Sequence, residues 1–179
     1  MISRRKFLGL TLSTLLIEKL SLVNSIALSG MDISHGSRGK KEIALTFHGA
    51  GDIAIANEIL AITKDAKTPI TVMAVGNWLS SNPNIGKEIL AGGHELGNHT
   101  YSHQAMLHLN YKAANTEIAK GKEMIIKSVG SGQKYFRPSG TPKSNSIIRK
   151  AALANGYSNC ITYDVDTLDY QDPKPAVVI

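Results

Sequence analysis

The sequence is poor in the features that mark disulfide-stabilised, nucleotide-binding and repeat proteins. Its 179 residues include one cysteine, Cys160, so an intramolecular disulfide framework is excluded. Cys160 lies in a strand-like run, where a buried apolar role is expected rather than a nucleophilic one. The sequence contains no glycine-rich dinucleotide-binding motif and no internal repeat. Aromatic residues make up only 6% of the chain, so composition does not decide whether a binding groove would suit a polymer or a small molecule.

Positive charge is modest and is concentrated at the N-terminus. Residues 1–27 contain four basic residues and one acidic residue, a net +3 of the chain's +6. The remaining charge is small and scattered, which argues against nucleic acid as a partner. The length is sufficient for one domain with its own core and too short for two. Nothing in the sequence indicates an oligomeric state.

The N-terminal segment is typical of an export signal. Ser3-Arg4-Arg5-Lys6-Phe7-Leu8 resembles a twin-arginine motif, and the apolar run that follows is too short to span a bilayer comfortably. We therefore expect residues 1–27 to direct export to the periplasm, cell wall or medium. The membrane would be contacted only through this signal, the alternative being an uncleaved amphipathic anchor. Residues 28–40, rich in glycine, serine and aspartate, are expected to form a linker.

From residue 41 onward, apolar strand-like runs alternate with helical patterns, which predicts an α/β domain with a parallel sheet. Strands are expected at 42–47, 69–76, 94–98, 135–137 and 159–164, and helices after residue 53, from Asn82-Pro83 to Gly92-Gly93, from Asn110 to Gly130, over 144–155 and from Asp172. This pattern suits a barrel-like or open α/β sheet.

Polar residues cluster where the predicted strands end. His48 follows the first strand, His99 and His103 follow the third, and further polar residues follow the fourth and fifth. Because functional groups of such folds gather at the carboxyl ends of parallel strands, we expect one site there. The four-residue spacing of His99 and His103 directs two imidazoles toward one metal ion, with a carboxylate required from elsewhere.

The order of four motifs resembles the polysaccharide deacetylases of carbohydrate esterase family four. These motifs are Thr46-Phe47-His48…Asp52, His99-Thr100-Tyr101-Ser102-His103, Arg137-Pro138-Ser139-Gly140 and Asp166-Thr167-Leu168-Asp169-Tyr170. The resemblance covers about residues 41–179. It implies a distorted (β/α) barrel and a divalent metal, usually zinc, held by aspartate and two histidines. It also implies hydrolysis of N- or O-acetyl groups on peptidoglycan, chitin-like or xylan-like polymers.

Carried across, the resemblance assigns His99 and His103 to the metal, but the first motif departs from the family pattern. The family has Thr-Phe-Asp-Asp-Gly, a general base followed by a metal ligand, where this chain has His48 and Gly49. We expect Asp52 to complete the metal site and His48 to act as base. The reverse assignment is chemically as sensible, and Asp52 could instead only cap a helix.

The other two motifs suggest further roles. Arg137 matches the family arginine that contacts the base; with a histidine at that place, Arg137 is expected to hold Asp52 or Asp166. The resemblance assigns Asp169 to the catalytic set and assigns Tyr170, Pro138 and Gly140 to substrate binding. The final Leu-x-His motif, which supplies the family's catalytic acid, is absent, so a C-terminally truncated domain is expected. Two alternatives stay open, a non-catalytic glycan-binding relic and a metal-dependent amidohydrolase acting on a small amide.

Overall fold

The computed structural model describes residues 31–171, in which parallel strands alternate with helices. The strands are β1 Asp32–Ile33, β2 Thr46–Gly49, β3 Thr71–Ala74, β4 Glu95–Asn98 and β5 Cys160–Ile161; the helices are α1 Ile53–Asp65, α2 Gly76–Ser81, α3 Ile85–Ala91, α4 Tyr111–Val129 and α5 Ser146–Ala154; single 3-10 turns lie at Met106–His108 and Asp169–Gln171. The predicted export signal, the first residues of the predicted linker and the helix expected from Asp172 lie outside the described residues.

All five strands pair in parallel, and a single residue, Phe136, joins the β2–β3–β4 strands to the β1–β5 pair. β2, β3 and β4 pair in that order, with Phe47 opposite Val72 and Val72 opposite Leu96. Phe136 forms an isolated parallel bridge to Asn98, and the carbonyl of Phe136 accepts a 2.7 Å hydrogen bond from the backbone of Ile161 in β5. Within residues 31–171 these strands do not close into a barrel, so the expected barrel is observed as an open α/β sheet.

Three differences separate the observed strands from the predicted ones. Asp32 and Ile33, expected in a linker, form β1 because their backbone pairs in parallel with β5. The fourth predicted strand is reduced to the Phe136 bridge. The first begins and ends later than predicted, so that His48 and Gly49 lie inside β2 rather than after it. Gly49 allows this extension because it has no side chain to collide with Trp78.

Helix α4 follows its sequence signals closely. The side chain of Asn110 accepts a 3.0 Å hydrogen bond from the backbone of Ala113, and Gly130 ends the helix with a left-handed φ of 80°. The helix predicted from Asn82 to Gly93 begins later, as α3 at Ile85, and α2, which was not predicted, precedes it. Asn82 ends α2 because its side-chain amide and its backbone N–H both donate to the carbonyl of Trp78.

Two apolar clusters hold the sheet against its helices. One lies between β3, β4 and helices α1–α3, and includes Trp78 and Leu96. The other joins α4 and α5 to the second half of the sheet through Phe136 and Cys160. Burial raises the pKa of the Cys160 thiol to about 11, which confirms the expectation of an unreactive buried side chain. Across residues 31–171, no helix is long and apolar enough to cross a lipid bilayer.

Candidate functional site

Three histidines from separate parts of the chain come together at the carboxyl end of the sheet. His48 is the last residue but one of β2, His99 directly follows β4, and His103 lies in the loop after β4. The ring centroids of His48 and His99 are 4.3 Å apart and nearly parallel, and those of His99 and His103 are 4.9 Å apart at 68°. The sequence-based expectation that these residues share one site is therefore matched by their positions.

His99 has an imidazole nitrogen that is buried without a partner. The residue is only 1% exposed, and its Nδ1 donates a 2.9 Å hydrogen bond to the backbone carbonyl of Arg137. That bond leaves the lone pair on Nε2, which is buried and has no hydrogen-bond partner among the described residues. A backbone carbonyl that fixes one ring nitrogen while the other stays free is the usual arrangement of a metal-binding histidine.

The surroundings of His48 and His99 favour the neutral form of both imidazoles. Burial and the positive charge of Arg137 lower the pKa of His48 to about 4, although solvent still reaches this residue. The negative charges of Asp169 and Asp166 act in the opposite direction and raise the pKa of His48. Burial, followed by the neighbouring His48, also holds the pKa of His99 well below its usual range.

These shifted pKa values predict that the protein loses stability in mild acid. Because the pKa of His48 is lower in the folded chain than its ordinary value of about 6.5, the unfolded chain binds more protons between these two values. The free energy of unfolding should therefore fall as the pH drops from about 6.5 to about 4. Urea unfolding of His48→Gln should show a shallower fall than wild type, whereas the exposed His108→Gln should not. Equal slopes for all three proteins would contradict the assignment.

Arg137 is buried, and its contacts differ from those expected. The residue is 3% exposed. Its guanidinium donates to the hydroxyl of Thr46 in β2 at 2.9 Å and to the backbone carbonyls of Ile161 and Thr162 at 3.2 and 3.1 Å. It forms no ion pair with an acidic group of the described chain, so the expected contact with Asp52 or Asp166 is wrong. Arg137 instead joins β2 to β5 and to Thr162, the residue that follows β5.

Asp52 occupies the N-cap of α1. Its Oδ1 accepts a 2.9 Å hydrogen bond from the backbone of Ala54, and the residue is exposed. Within residues 31–171, no three or more His, Cys, Asp or Glu side chains are arranged so that they could hold a metal ion. The structure therefore does not bring Asp52 together with His99 and His103, and the helix-cap role is the one that its contacts show.

The N-cap contact gives a direct prediction for Asp52→Ala. Loss of the cap should lower the free energy of unfolding by about 1 kcal/mol, because one N–H of the first helical turn loses its acceptor. Asp65→Ala, at the other end of α1, is the matched control and should be neutral or slightly stabilising, since an acid is unfavourable beside a helix C-terminus. Chemical denaturation measures both variants; an unchanged stability for Asp52→Ala would contradict the cap.

The remaining predicted residues are only partly explained by the structure. Asp169 and Tyr170 lie in the 3-10 turn Asp169–Gln171, where Thr167 donates to the carboxylate of Asp169. Pro138 is buried. Gly140 adopts a left-handed φ of 65°, and a Cβ at this residue would stand 3.0 Å from the Cα of Ala105, a tight contact. The roles of these residues toward substrate stay predictions.

Two buried polar neighbours of the histidines were not predicted from the sequence. Asn98, fully buried directly before His99, bonds the carbonyl of Ile118, the hydroxyl of Tyr157 and the backbone of Thr100. Glu117 of α4, only 6% exposed, accepts hydrogen bonds from residues on either side of His103. A glutamate four residues before Gly121, beside the apolar stripe of α4, was the signal that could have indicated it.

The imidazole groups at this site are of a chemical type that binds metal ions, whereas their arrangement suits a metal ion less well. Imidazole nitrogen is a ligand that zinc and similar divalent metals prefer, and the free Nε2 of His99 is of this kind. His99 and His103 are therefore the residues that would hold such an ion. At the expected place of the third family ligand the chain has Gly49, where a Cβ would stand 2.9 Å from the ring of Trp78 and 3.0 Å from the backbone of Ala74.

Comparison with known proteins identifies the family. The family model of polysaccharide deacetylases matches residues 35–160. The chain is 31% identical over 137 residues to a peptidoglycan-N-acetylglucosamine deacetylase of Bacillus cereus, covering 76% of this chain and 49% of that protein. It is 29% identical over 149 residues to the uncharacterized protein YlxY of Bacillus subtilis, covering 82% and 45%. The chain thus belongs to the polysaccharide deacetylase family and spans about half the length of these relatives.

Solved structures of the same family resemble the fold and include an inactive member. BA3943 of Bacillus anthracis, described as a pseudoenzyme of carbohydrate esterase family four, superimposes with a TM-score of 0.75 at 28% identity. That similarity covers 82% of this chain and 52% of the other. A mutant of BA3943 is described as having restored enzymatic activity and superimposes with a TM-score of 0.76. Membership of the family therefore does not by itself establish catalysis.

Proposed function

We propose that this domain belongs to a metal-dependent hydrolase that removes N- or O-linked acetyl groups from a cell-wall or extracellular polysaccharide. The observation that carries the proposal is the buried, unpartnered Nε2 of His99, which lies within the histidine cluster. Leaving such an atom without a partner costs stability, and a ligand that binds it removes the cost. The export-like N-terminus supports a substrate outside the cytoplasm, and relatives named as peptidoglycan deacetylases or as a xylan deacetylase support a polymer of this class.

Each residue of the cluster has a proposed part in the reaction. A zinc-like ion held by His99 and His103, when bound, would supply a polarised water and would polarise the acetyl carbonyl. His48 keeps a free lone pair at neutral pH because its pKa is about 4, so it is available to accept a proton. The buried positive charge of Arg137 favours negative charge that develops nearby. The negative charges of Asp169 and Asp166 oppose this lowering of the pKa of His48.

A second candidate function is glycan binding without catalysis. It is favoured by one observation: in the described chain no carboxylate joins the three histidines in an arrangement that could hold a metal. The first motif has lost both family carboxylates, and a base whose pKa is near 4 is weak. The same end of the sheet would then bind an acetylated polymer without cleaving it.

Metal content and acetate release distinguish the two candidates. Wild type, His99→Ala and the exposed His108→Ala are dialysed against Zn²⁺, assayed for bound metal, and incubated with acetylated peptidoglycan, chitin oligosaccharides and acetylxylan. We expect stoichiometric metal in wild type and His108→Ala and at least a tenfold loss of affinity in His99→Ala. Because the chain spans about half the length of its relatives, acetate release is also measured on the full-length product of the gene. Absence of metal and acetate, with retained sedimentation with insoluble glycan, would replace the hydrolase by the glycan-binding function.

A further inference from the structure

We infer that Glu117 is a positioning residue that holds His103 in place. This inference deepens the proposed function, on which its metal readout depends. Glu117 lies in α4, whereas His103 lies in the loop His99–Gln104, which we call the histidine loop. One carboxylate oxygen of Glu117 accepts a 2.9 Å hydrogen bond from the backbone N–H of Ser102. The other accepts from the Ser102 hydroxyl at 2.9 Å and from the Gln104 side-chain amide at 3.4 Å. The residues immediately before and after His103 are thus bound to one carboxylate.

The histidine loop needs such support because its backbone is strained. Thr100 and His103 both have positive φ angles, 68° and 58°. For a residue with a Cβ, the left-handed conformation costs roughly 1–2 kcal/mol, so two of them within four residues require compensating contacts. His103 itself projects from this conformation toward His99, with ring centroids 4.9 Å apart. A loop released from α4 would lose the backbone conformation that directs the His103 ring.

Other contacts secure the ends of the histidine loop but not its middle. At its start, the carbonyls of Thr100 and Tyr101 accept hydrogen bonds from the first residues of α2. At its end, the hydroxyl of Ser139 donates to the carbonyl of Gln104 at 2.6 Å. Between these points, the described contacts to Ser102 come from Glu117 and Gln104. The carboxylate is therefore the contact that fixes the residue next to His103.

The burial of Glu117 also argues for a role that an uncharged residue would not fill. Glu117 is 6% exposed, and no ion pair with a basic side chain compensates it among the described residues. Removing a carboxylate from water is costly, and here three donors of the histidine loop compensate that cost. All three groups donate hydrogen bonds to the carboxylate oxygens of Glu117. A glutamine at this position would place the N–H groups of its own side-chain amide against one of these donors.

The test compares Glu117→Gln with Glu123→Gln, a control on the same helix that removes an exposed glutamate paired with Lys127. In the metal-free protein, nuclear magnetic resonance should show displaced imidazole signals of His103 and faster amide exchange at Ser102 in Glu117→Gln alone. The affinity for Zn²⁺, measured by competition with a chromophoric chelator, should fall 10- to 100-fold in Glu117→Gln and stay within twofold in Glu123→Gln. Ser102→Ala, which removes one of the three donors, should show a smaller change in the same direction.

The outcomes separate this inference from the proposed function. Unchanged His103 signals and Ser102 exchange in both Glu117→Gln and Ser102→Ala would overturn the positioning role, whether or not the protein binds metal. A Zn²⁺ affinity that falls in His99→Ala but not in Glu117→Gln would also overturn it while leaving the metal site intact. If wild type binds no metal but Glu117→Gln still displaces the His103 signals, the positioning role stands and the hydrolase proposal fails. A change of Tm alone, equal in both glutamine variants, would count against the inference.

Discussion

Gly49→Asp, which restores a carboxylate at the family's ligand position, is expected to destabilise the fold rather than create a metal ligand. A Cβ at this residue would stand 2.9 Å from the ring of Trp78 and 3.0 Å from the backbone of Ala74, distances that require neighbours to move. Overpacking of this kind costs about 1–3 kcal/mol, and an unpaired buried carboxylate adds several kcal/mol, so we expect a loss of about 4 kcal/mol or more.

The control for this variant is Ala50→Asp, which introduces the same charge at the next, exposed residue. Its free energy of unfolding should stay within about 0.5 kcal/mol of wild type, as for most surface substitutions. Urea denaturation at pH 7 measures both variants, and Zn²⁺ titration of any folded Gly49→Asp protein reports on ligation. A stable Gly49→Asp protein with tighter Zn²⁺ binding would show that β2 turns its residue 49 toward the histidines.

Asn98→Ala is expected to be similarly severe, because one buried amide satisfies three groups. Its Nδ2 donates to the carbonyl of Ile118 at 2.9 Å and to the hydroxyl of Tyr157 at 3.1 Å, and its Oδ1 accepts from the backbone of Thr100 at 2.9 Å. A buried group left without its partner costs about 1–3 kcal/mol, so the variant should lose about 4 kcal/mol. The loss of the Thr100 contact should also release the residue that follows His99.

Tyr157→Phe removes only one of these three contacts and is the matched control. It should cost about 1 kcal/mol, because Asn98 keeps its bonds to α4 and to Thr100. Denaturant midpoints give the ranking, and tryptophan fluorescence of Trp78 reports whether the first apolar cluster is preserved. Equal losses in the two variants would mean that the Tyr157 contact, rather than the amide of Asn98, carries the effect.

The sequence predicted features that depend on local chemistry. Helix α4 has an asparagine at its start and a glycine at its end, and both act through contacts within a few residues. The convergence of His48, His99 and His103 followed from the rule that parallel strands present their functional groups at one edge. Family membership, which the four motifs indicated, is confirmed by the comparisons.

Features that depend on competition between local and distant contacts could not be predicted. Asp52 was expected to complete a metal site, with a helix cap as the alternative, and only the position of α1 shows that it caps. Arg137 finds hydroxyl and carbonyl partners in distant strands, which no spacing in its own motif indicates. The pairing of β1 with β5 depends on backbone hydrogen bonds, which carry no residue-type signal.

The pairing of β1 with β5 has a consequence for how the domain forms during synthesis. Met31 and Asn159, which join at the start of this pair, are 128 residues apart in the chain. Neighbouring strands β2, β3 and β4 can assemble in the order in which they leave the ribosome, but β1 must wait until residues beyond 160 have emerged. Such long-range closure slows folding, because the entropy of the intervening loop is lost before the contact forms. The earliest part of the described chain to be made is thus among the last to become structured.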